Sequence, residues 1–253
     1  MKRYPILEFD PHPDAILTPQ LPGVALPLPE KTVVCFFQEV IMELAASGRL
    51  EKIGEIVSEI GPNPLYRMEW NGQSLLVFHP GVGAPLAAGF MEEAIAGGVR
   101  KAIACGGCGV LQKEIVSGHL VILTAAVRDE GTSYHYLPPG WEVSASPRPT
   151  SALEETLKSH GLVYLLGKSW TTDAIYRETV AKRKQRVREG CVVVEMEAAA
   201  FFAVAQFRGI DFGQVVYGGD LVVPEGWDRR DWMDRKDNRQ MLFWLAVEAC
   251  CRL

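Results

Sequence analysis

Short apolar segments alternate with helical segments along most of this chain, and this alternation is the feature that most constrains its fold. The predicted strands cover residues 31–37, 74–80, 101–107, 119–127, 162–170, 191–195 and 211–219. The predicted helices cover 38–47, 85–97, 150–161, 176–190, a segment from Ala198 onward, and 231–253. Such alternation predicts an α/β fold, with a mostly parallel mixed sheet flanked by helices on both faces.

The first 30 residues differ from the rest because they contain seven prolines, which predicts an extended N-terminal arm. No linker, repeat or charge run divides the chain after that point. The chain of 253 residues is long enough to bury one large core. We therefore expect an arm over residues 1–30 and a single domain over residues 31–253.

Charge and hydropathy exclude several classes of protein. The formal net charge is −5, whereas nucleic-acid binding usually needs a basic surface. No segment approaches the roughly 20 apolar residues that span a bilayer. The N-terminus lacks the pattern of a signal peptide. These features predict a cytoplasmic protein with no nucleic-acid or membrane partner.

Six cysteines are present, and Cys105 and Cys108 form one C-x-x-C pair. No second pair completes a zinc site, so no metal is predicted. Two interpretations remain for the thiols: free buried side chains, which is the common state of unpaired cysteine, or a redox pair at Cys105 and Cys108.

Glycine and polar residues collect at the predicted carboxyl ends of five strands, where α/β sheets bind ligands. These ends are Gln38–Glu39, Gly81–Pro85, Gly106–Gly109, Glu195–Glu197 and Gly219–Asp220. Glu195 and Glu197 stand between a valine-rich strand and an apolar helix, where an unpaired charge is costly to bury. They are predicted either to hold a ligand or to stabilise the helix N-terminus.

The segment VVVEMEAAAFFAVA (192–205) resembles the hallmark of the purine nucleoside phosphorylase and uridine phosphorylase superfamily, which includes methylthioadenosine nucleosidase. Residues 81–111, 124–136 and 219–227 resemble further blocks of that family. The resemblance runs from about residue 32 to the C-terminus. It implies cleavage of the N-glycosidic bond of a nucleoside, with no organic cofactor and with inorganic phosphate as a co-substrate.

The resemblance also implies how the ribose is held. Met196 would pack against the sugar, and Glu197 would accept hydrogen bonds from its 2′ and 3′ hydroxyls, with Glu195 beside them. An ionised carboxylate has acceptor sites for two neighbouring hydroxyls. Its negative charge would also stabilise the cation-like sugar of the transition state.

For the base, the resemblance implies that Asp220 assists departure at N7 of a purine, because purine-cleaving members have an aspartate at this position. A general acid helps such a poor leaving group. The family's stacking phenylalanine is replaced by Ile175, so Ile175 or Tyr176 is expected to form the wall of the base site.

The acceptor side departs from the family pattern, because none of its three phosphate-binding arginines is matched. The residues expected to line this side are Gly81, Gly83, Gly106, Gly107 and Cys108. Backbone N–H groups at such glycines can cradle an anion. Glu39 offers another solution, because the nucleosidase branch has a water-activating glutamate at a similar position.

Three functions remain open from the sequence: phosphorolysis, hydrolysis through Glu39, and nucleoside binding without catalysis. Arg128, Glu130 and His135 follow a core strand, and whether they touch substrate is undecided. Family members are oligomers, so a homodimer or homohexamer is expected.

Overall fold

A computed structural model describes residues 4–230, 232 and 236–253. Eleven strands are described: β1 (Lys31–Cys35), β2 (Glu51–Ser58), β3 (Gly61–Trp70), β4 (Gln73–Phe78), β5 (Lys101–Val110), β6 (Leu120–Asp129), β7 (Glu142–Ser144), β8 (Tyr164–Thr172), β9 (Cys191–Glu195), β10 (Asp211–Val223) and β11 (Gly226–Asp228). Six α-helices are described: α1 (Gln38–Ala46), α2 (Ala84–Gly97), α3 (Pro147–Ser159), α4 (Val180–Arg188), α5 (Ala198–Arg208) and α6 (Lys236–Cys251). None of these helices is long and apolar enough to cross a membrane.

All described strands belong to one mixed sheet, which confirms the predicted α/β class. Strand β10 pairs in parallel with β5 and antiparallel with β6. Strands β6, β8 and β9 follow in order, and β9 returns to β5, so these five strands close a ring. Parallel pairing is less dominant than expected, because two ring contacts and the added hairpins are antiparallel.

Helices cover both faces of the sheet. On one face, α2 and α5 pack over the larger apolar cluster, which contains Phe78, Phe201 and Phe212. On the other face, α1, α3 and α6 cover a second cluster around Tyr217 and Phe243. The carboxyl ends of β1, β4, β5, β9 and β10 stay open between these layers.

The hairpin of β2 and β3 was not predicted from the sequence. Pro62 and Pro64 lie in β3 and obscure its strand pattern, because proline cannot donate to a ladder. Both prolines pair only with β2, beyond the part of β3 that contacts β4. The sheet therefore tolerates them at its edge.

Several element boundaries also differ from the sequence prediction. Helix α3 begins at Pro147 instead of Thr150. The predicted helix 176–190 is divided into a 3-10 turn at Ile175–Arg177 and α4, whose N-cap Thr179 accepts the N–H of Lys182 at 3.3 Å. The predicted start of the last helix lies partly at 231 and 233–235, outside the described residues, and α6 is described from Lys236.

The N-terminal arm follows the surface and is anchored near its end. Leu21 and Leu28 are buried against α2, and the N–H of Leu28 donates to the carbonyl of Gly97 at 2.8 Å. An added Cβ at Gly97 would lie 2.5 Å from Leu28, so glycine is required for this close approach. The division at residue 30 stays a prediction.

Candidate active site

Glu195 ends β9 and is almost completely enclosed by protein donors. Its Oε1 accepts the hydroxyls of Ser169 and Thr171, both at 2.6 Å. Its Oε2 accepts the N–H groups of Glu197 at 2.7 Å and Ala198 at 2.6 Å. Burial raises the pKa of Glu195, and these four hydrogen bonds oppose the shift.

These donors leave Glu195 little acceptor capacity for a ribose hydroxyl, and its expected contact with ribose stays a prediction. A carboxylate has about four acceptor positions, and protein donors fill all of them here. Two of the donors are free N–H groups at the start of α5, which need a partner in any helix. Glu195 fixes the direction in which α5 leaves the sheet and so positions Glu197.

Glu197 contacts the glycine turn at Gly81–Gly83 and is only 6% exposed. Its Oε1 accepts the N–H of Gly83 at 2.6 Å, and its Oε2 accepts the N–H of Met196 at 3.3 Å. Burial and the charge of Glu195 raise the pKa of Glu197. Each oxygen of the Glu197 carboxylate receives one backbone N–H group and can accept a further hydrogen bond. Met196 is half-buried beside it.

The turn at Gly81–Gly83 is built for close approach. Gly81 has φ +78° and Gly83 has φ +92°, and an added Cβ at Gly81 would lie 2.3 Å from Leu86. The N–H of Gly81 donates to Nδ1 of His79 at 3.0 Å, so the neutral His79 ring carries its proton on Nε2. The N–H groups of Gly81 and Gly83, which were expected to line the acceptor side, thus both have protein partners in this structure.

The glycines of β5 lie beside aromatic rings. An added Cβ at Gly106 would lie 3.0 Å from Phe36, and one at Gly107 would lie 3.4 Å from Tyr217. Gly107 is exposed, in contrast to its neighbours in the strand. Because Gly107 has no side chain, the backbone surface of β5 at this position stays open to solvent.

Cys108, which was expected to line the acceptor side, is a buried thiol in this structure. Its thiol donates to the carbonyl of Tyr217 at 3.3 Å and is buried. Burial raises its pKa well above the usual range, and the charges of Asp220 and Glu195 raise it further. A neutral thiol offers no positive charge to a phosphate, and the place of Cys108 on the acceptor side stays a prediction.

Asp220 lies near the end of β10 and is held by a residue that sequence reasoning missed. Its Oδ2 accepts the indole N–H of Trp227 at 2.6 Å, and its Oδ1 lies 3.5 Å from the Cβ position of Gly109. Trp227 pairs with Val222 in the β10–β11 hairpin, and its ring is 64% exposed. The hairpin explains this contact between Asp220 and Trp227, and no local sequence pattern indicates it.

Glu178 is a second residue that sequence reasoning missed on this side. Burial, together with the charge of Asp220, raises its pKa to about 7. It follows the 3-10 turn that carries Ile175 and Tyr176, which are 53% and 94% exposed. Ile175 and Tyr176, the residues expected to form the wall of the base site, therefore lie in the same chain segment as Glu178, an acid near Asp220.

Arg128 and Glu130 are mainly committed to their own loop. The guanidinium of Arg128 donates to Ser133 Oγ at 2.8 Å and to the carbonyls of Pro138 and Leu137 at 2.8 and 3.2 Å. Glu130 Oε2 accepts the N–H of Ser133 at 2.9 Å, while its Oε1 is buried without a hydrogen bond. His135 is exposed. These contacts order the loop that follows β6.

Glu39 lies in the first turn of α1 and is bound by Arg239 of α6, with Nη1 to Oε1 at 2.6 Å. The sequence indicated Glu39 but not its partner. Arg239 is the buried residue of the polar segment Lys236–Gln240 that begins α6, and no local pattern distinguishes it from its polar neighbours.

Comparisons with known proteins bear on the family and on the fold. The sequence model of the Phosphorylase superfamily matches residues 31–242. The chain is 27% identical over 217 residues to guanosine phosphorylase of Halorubrum lacusprofundi, covering 81% of this chain and 90% of that protein. It is 29% identical over 159 residues to uridine phosphorylase of Haemophilus influenzae, covering 57% and 63%.

Two solved structures share the fold. Purine nucleoside phosphorylase from Toxoplasma gondii in complex with immucillin-H has a TM-score of 0.77 at 21% identity, covering 88% of this chain and 91% of that chain. AMP nucleosidase from Bacteroides thetaiotaomicron has a TM-score of 0.70 at 21% identity, covering 88% and 87%. At such identities the likeness concerns the fold alone.

Proposed function

This chain belongs to the phosphorylase superfamily, and from that premise we propose that it cleaves the N-glycosidic bond of a purine nucleoside. Phosphate is the first candidate acceptor of the ribosyl group, as the names of the phosphorylase relatives suggest. The observation that carries the proposal is the position of Glu197, which is buried and held by the Gly83 turn. Glu197 and Met196 would hold the ribose.

Bond cleavage places positive charge on the sugar and negative charge on the base. A carboxylate beside the ribose stabilises the first charge, and a proton donor at the base stabilises the second. Glu197 supplies the carboxylate in its ionised form, which predominates above its raised pKa of about 8. Asp220, with Glu178 nearby, supplies the acid at N7, and this chemistry favours a purine. The guanosine phosphorylase relative supports the same class of base.

Hydrolysis is the second candidate, and a specific observation favours it. Glu39 is 41% exposed and firmly held by Arg239, whereas the N–H groups of Gly81 and Gly83 already have protein partners. A fixed carboxylate can take a proton from water but repels an anion. Glu39 would then be the general base.

Both candidates are tested by base release from a panel of purine and pyrimidine nucleosides, with and without phosphate. Phosphate-dependent release with ribose 1-phosphate as product supports phosphorolysis. Release of free ribose without phosphate supports hydrolysis. Binding of nucleosides without any release contradicts the proposal and leaves the non-catalytic alternative.

We also propose that a second copy of the chain completes the base side. Tyr176 and Trp227 are 94% and 64% exposed around Asp220, and large exposed apolar surface is typical of interaction sites. Light scattering of the purified protein measures the oligomeric state. A monomer at working concentrations contradicts this part.

A further inference from the structure

Arg239 of α6 is a buried cation with several aromatic and hydrogen-bonding partners. Its side chain is 10% exposed and lies 5.5 Å from the ring centre of Phe37 and 5.4 Å from that of Trp232. Its Nε donates to Tyr217 Oη at 3.0 Å, and Tyr217 Oη donates to the carbonyl of Trp232 at 2.9 Å. Packing and hydrogen bonds therefore fix the guanidinium plane.

The fixed guanidinium holds only one oxygen of Glu39. Arg239 Nη1 donates to Glu39 Oε1 at 2.6 Å. Among the described residues, none donates a hydrogen bond to Oε2 of Glu39. With 41% of its side chain exposed, Glu39 has one oxygen anchored and one open to the solvent side.

The Arg239–Glu39 pair lies next to the glycines that were expected to line the acceptor side. The ring of Tyr217, which contacts Arg239, flanks the exposed Gly107. Burial lowers the pKa of His79 while the nearby charge of Glu39 opposes that shift, and His79 binds the Gly81 turn. The Gly83 turn in turn donates to Glu197. Arg239 and Glu39 therefore lie on the side of the molecule that carries His79 and the glycine turn bound to Glu197.

We propose that Arg239 is the positioning residue of the acceptor side: it fixes Glu39 so that Oε2 accepts a proton from the water that attacks ribose C1′. This inference rests on the hydrolytic candidate. The water oxygen bonds to C1′ as the C1′–N bond breaks, and the electron pair of that bond leaves with the base. The water proton passes to Glu39, while the base takes its proton from Asp220.

Charge explains why water would be preferred to phosphate. The Arg239–Glu39 ion pair is neutral overall. Because its two charged groups are only 2.6 Å apart, their electrostatic effects on a nearby acceptor molecule largely cancel. A neutral water meets little resistance there, whereas a phosphate anion gains no net attraction. Removing the charge of Glu39 alone would leave Arg239 unpaired and make the site attractive to anions.

The chain contains a matched control pair on the same two helices. Glu43 lies one turn after Glu39 on α1 and binds Lys236 of α6 at 2.5 Å and Gln240 at 2.8 Å. Both side chains of the Lys236–Glu43 ion pair are largely exposed, at 59% and 43%. If Arg239 and Glu39 merely joined α1 to α6, both pairs would behave alike.

The experiment compares Glu39→Gln, Arg239→Gln and Arg239→Lys with Glu43→Gln and Lys236→Gln. For each protein, kcat, KM, Tm and the ratio of ribose to ribose 1-phosphate are measured with and without phosphate. We expect Glu39→Gln to lower hydrolytic kcat by about 100-fold, as for loss of a general base. Its residual cleavage should become more dependent on phosphate.

Arg239→Gln should lower kcat roughly tenfold at unchanged KM, because the base is misplaced while nucleoside binding is kept. Arg239→Lys should recover part of this loss, since lysine keeps the charge but not the planar fork. Both control variants should cleave at the wild-type rate.

Three results would overturn the inference. The first is that the wild-type protein makes only ribose 1-phosphate. This result would contradict the role of Arg239 in hydrolysis but not the proposed cleavage of the glycosidic bond. Another is an Arg239→Gln protein with lowered Tm but wild-type kcat, and a third is equal rate losses in the control variants. Absence of cleavage by the wild type with every nucleoside would instead contradict the proposed function itself.

Discussion

At the scale of residues, two neighbouring glutamates in one short segment take different roles. Glu195 is saturated by four protein donors, whereas Glu197 receives two backbone N–H groups and faces the glycine turn. Both are buried in an apolar layer, so each must have partners. Glu195 finds its partners within the protein, and the open acceptor capacity of Glu197 is what suits it to a substrate.

We predict that Glu197→Gln lowers kcat for nucleoside cleavage by roughly 100-fold, because an amide carries no negative charge toward the sugar cation. The fold should persist, since the amide oxygen still accepts the N–H of Gly83. Steady-state kinetics and circular dichroism provide the measurement. Near-normal rates in a folded variant would contradict the ribose assignment.

Asp220 and Trp227 give a second prediction. Asp220→Asn should lower kcat for purine nucleosides by at least about tenfold, because an amide is not an acid at N7. Trp227→Phe should produce a smaller loss, since the ring is kept but the 2.6 Å hydrogen bond to Asp220 is lost. Glu225→Gln, an exposed charge change on the same hairpin, serves as the control.

At the scale of elements, the entry of α5 is the arrangement on which the site depends. Thr171 of β8 donates to Glu195 and accepts the N–H of Ala199 at 3.0 Å, so β8, β9 and α5 are joined at one point. Helix α5 itself is buried along most of its length. Its direction is therefore set by polar contacts at its first turn together with apolar packing.

We predict that Thr171→Val lowers the free energy of unfolding by about 1–3 kcal/mol, because it removes one hydroxyl donor and leaves a buried N–H unpaired. Denaturant unfolding measures the change. Thr150→Val, which loses only a hydroxyl bond to the carbonyl of Ser146, is the comparison. Equal and small losses in both variants would argue against the special role of Thr171.

At the scale of the whole molecule, folding buries four carboxylic acids that lie at strand ends or in the connections after them. Burial raises the pKa of Glu130, Glu178, Glu195 and Glu197, so the folded protein binds protons that the unfolded chain releases. Their neutral forms are accommodated at low pH. Each such group destabilises the fold as pH rises.

Glu178 shows the direction in which a change of pH alters the stability of the fold. Its pKa is about 7 in the folded protein, above the 4.5 of an unperturbed glutamate. Its contribution to stability is complete below 4.5 and is lost as pH rises through about 7. We therefore expect Tm to fall between about pH 5 and about pH 8, and Glu178→Gln to flatten that decline. A decline identical to that of the wild type would contradict the shifted pKa.

The sequence pattern predicted most of the helices and central strands, because their burial follows local periodicity. It did not predict β2 and β3, where Pro62 and Pro64 conceal an edge strand, nor the division of the segment after Ile175. The family motif identified Glu197 and Asp220 as candidates. It did not reveal that Glu195 is internally satisfied or that Cys108 is a neutral buried thiol.

The sequence by itself determined the α/β class, the family and the strand ends where chemistry collects, because these depend on residue type and short spacing. Only the tertiary structure decided the partners: Arg239 lies 200 residues from Glu39, and Gly83 lies 114 residues from Glu197. Contacts at such separations depend on how sheet and helices pack against each other. No local pattern records them, and they decide which carboxylate faces a substrate.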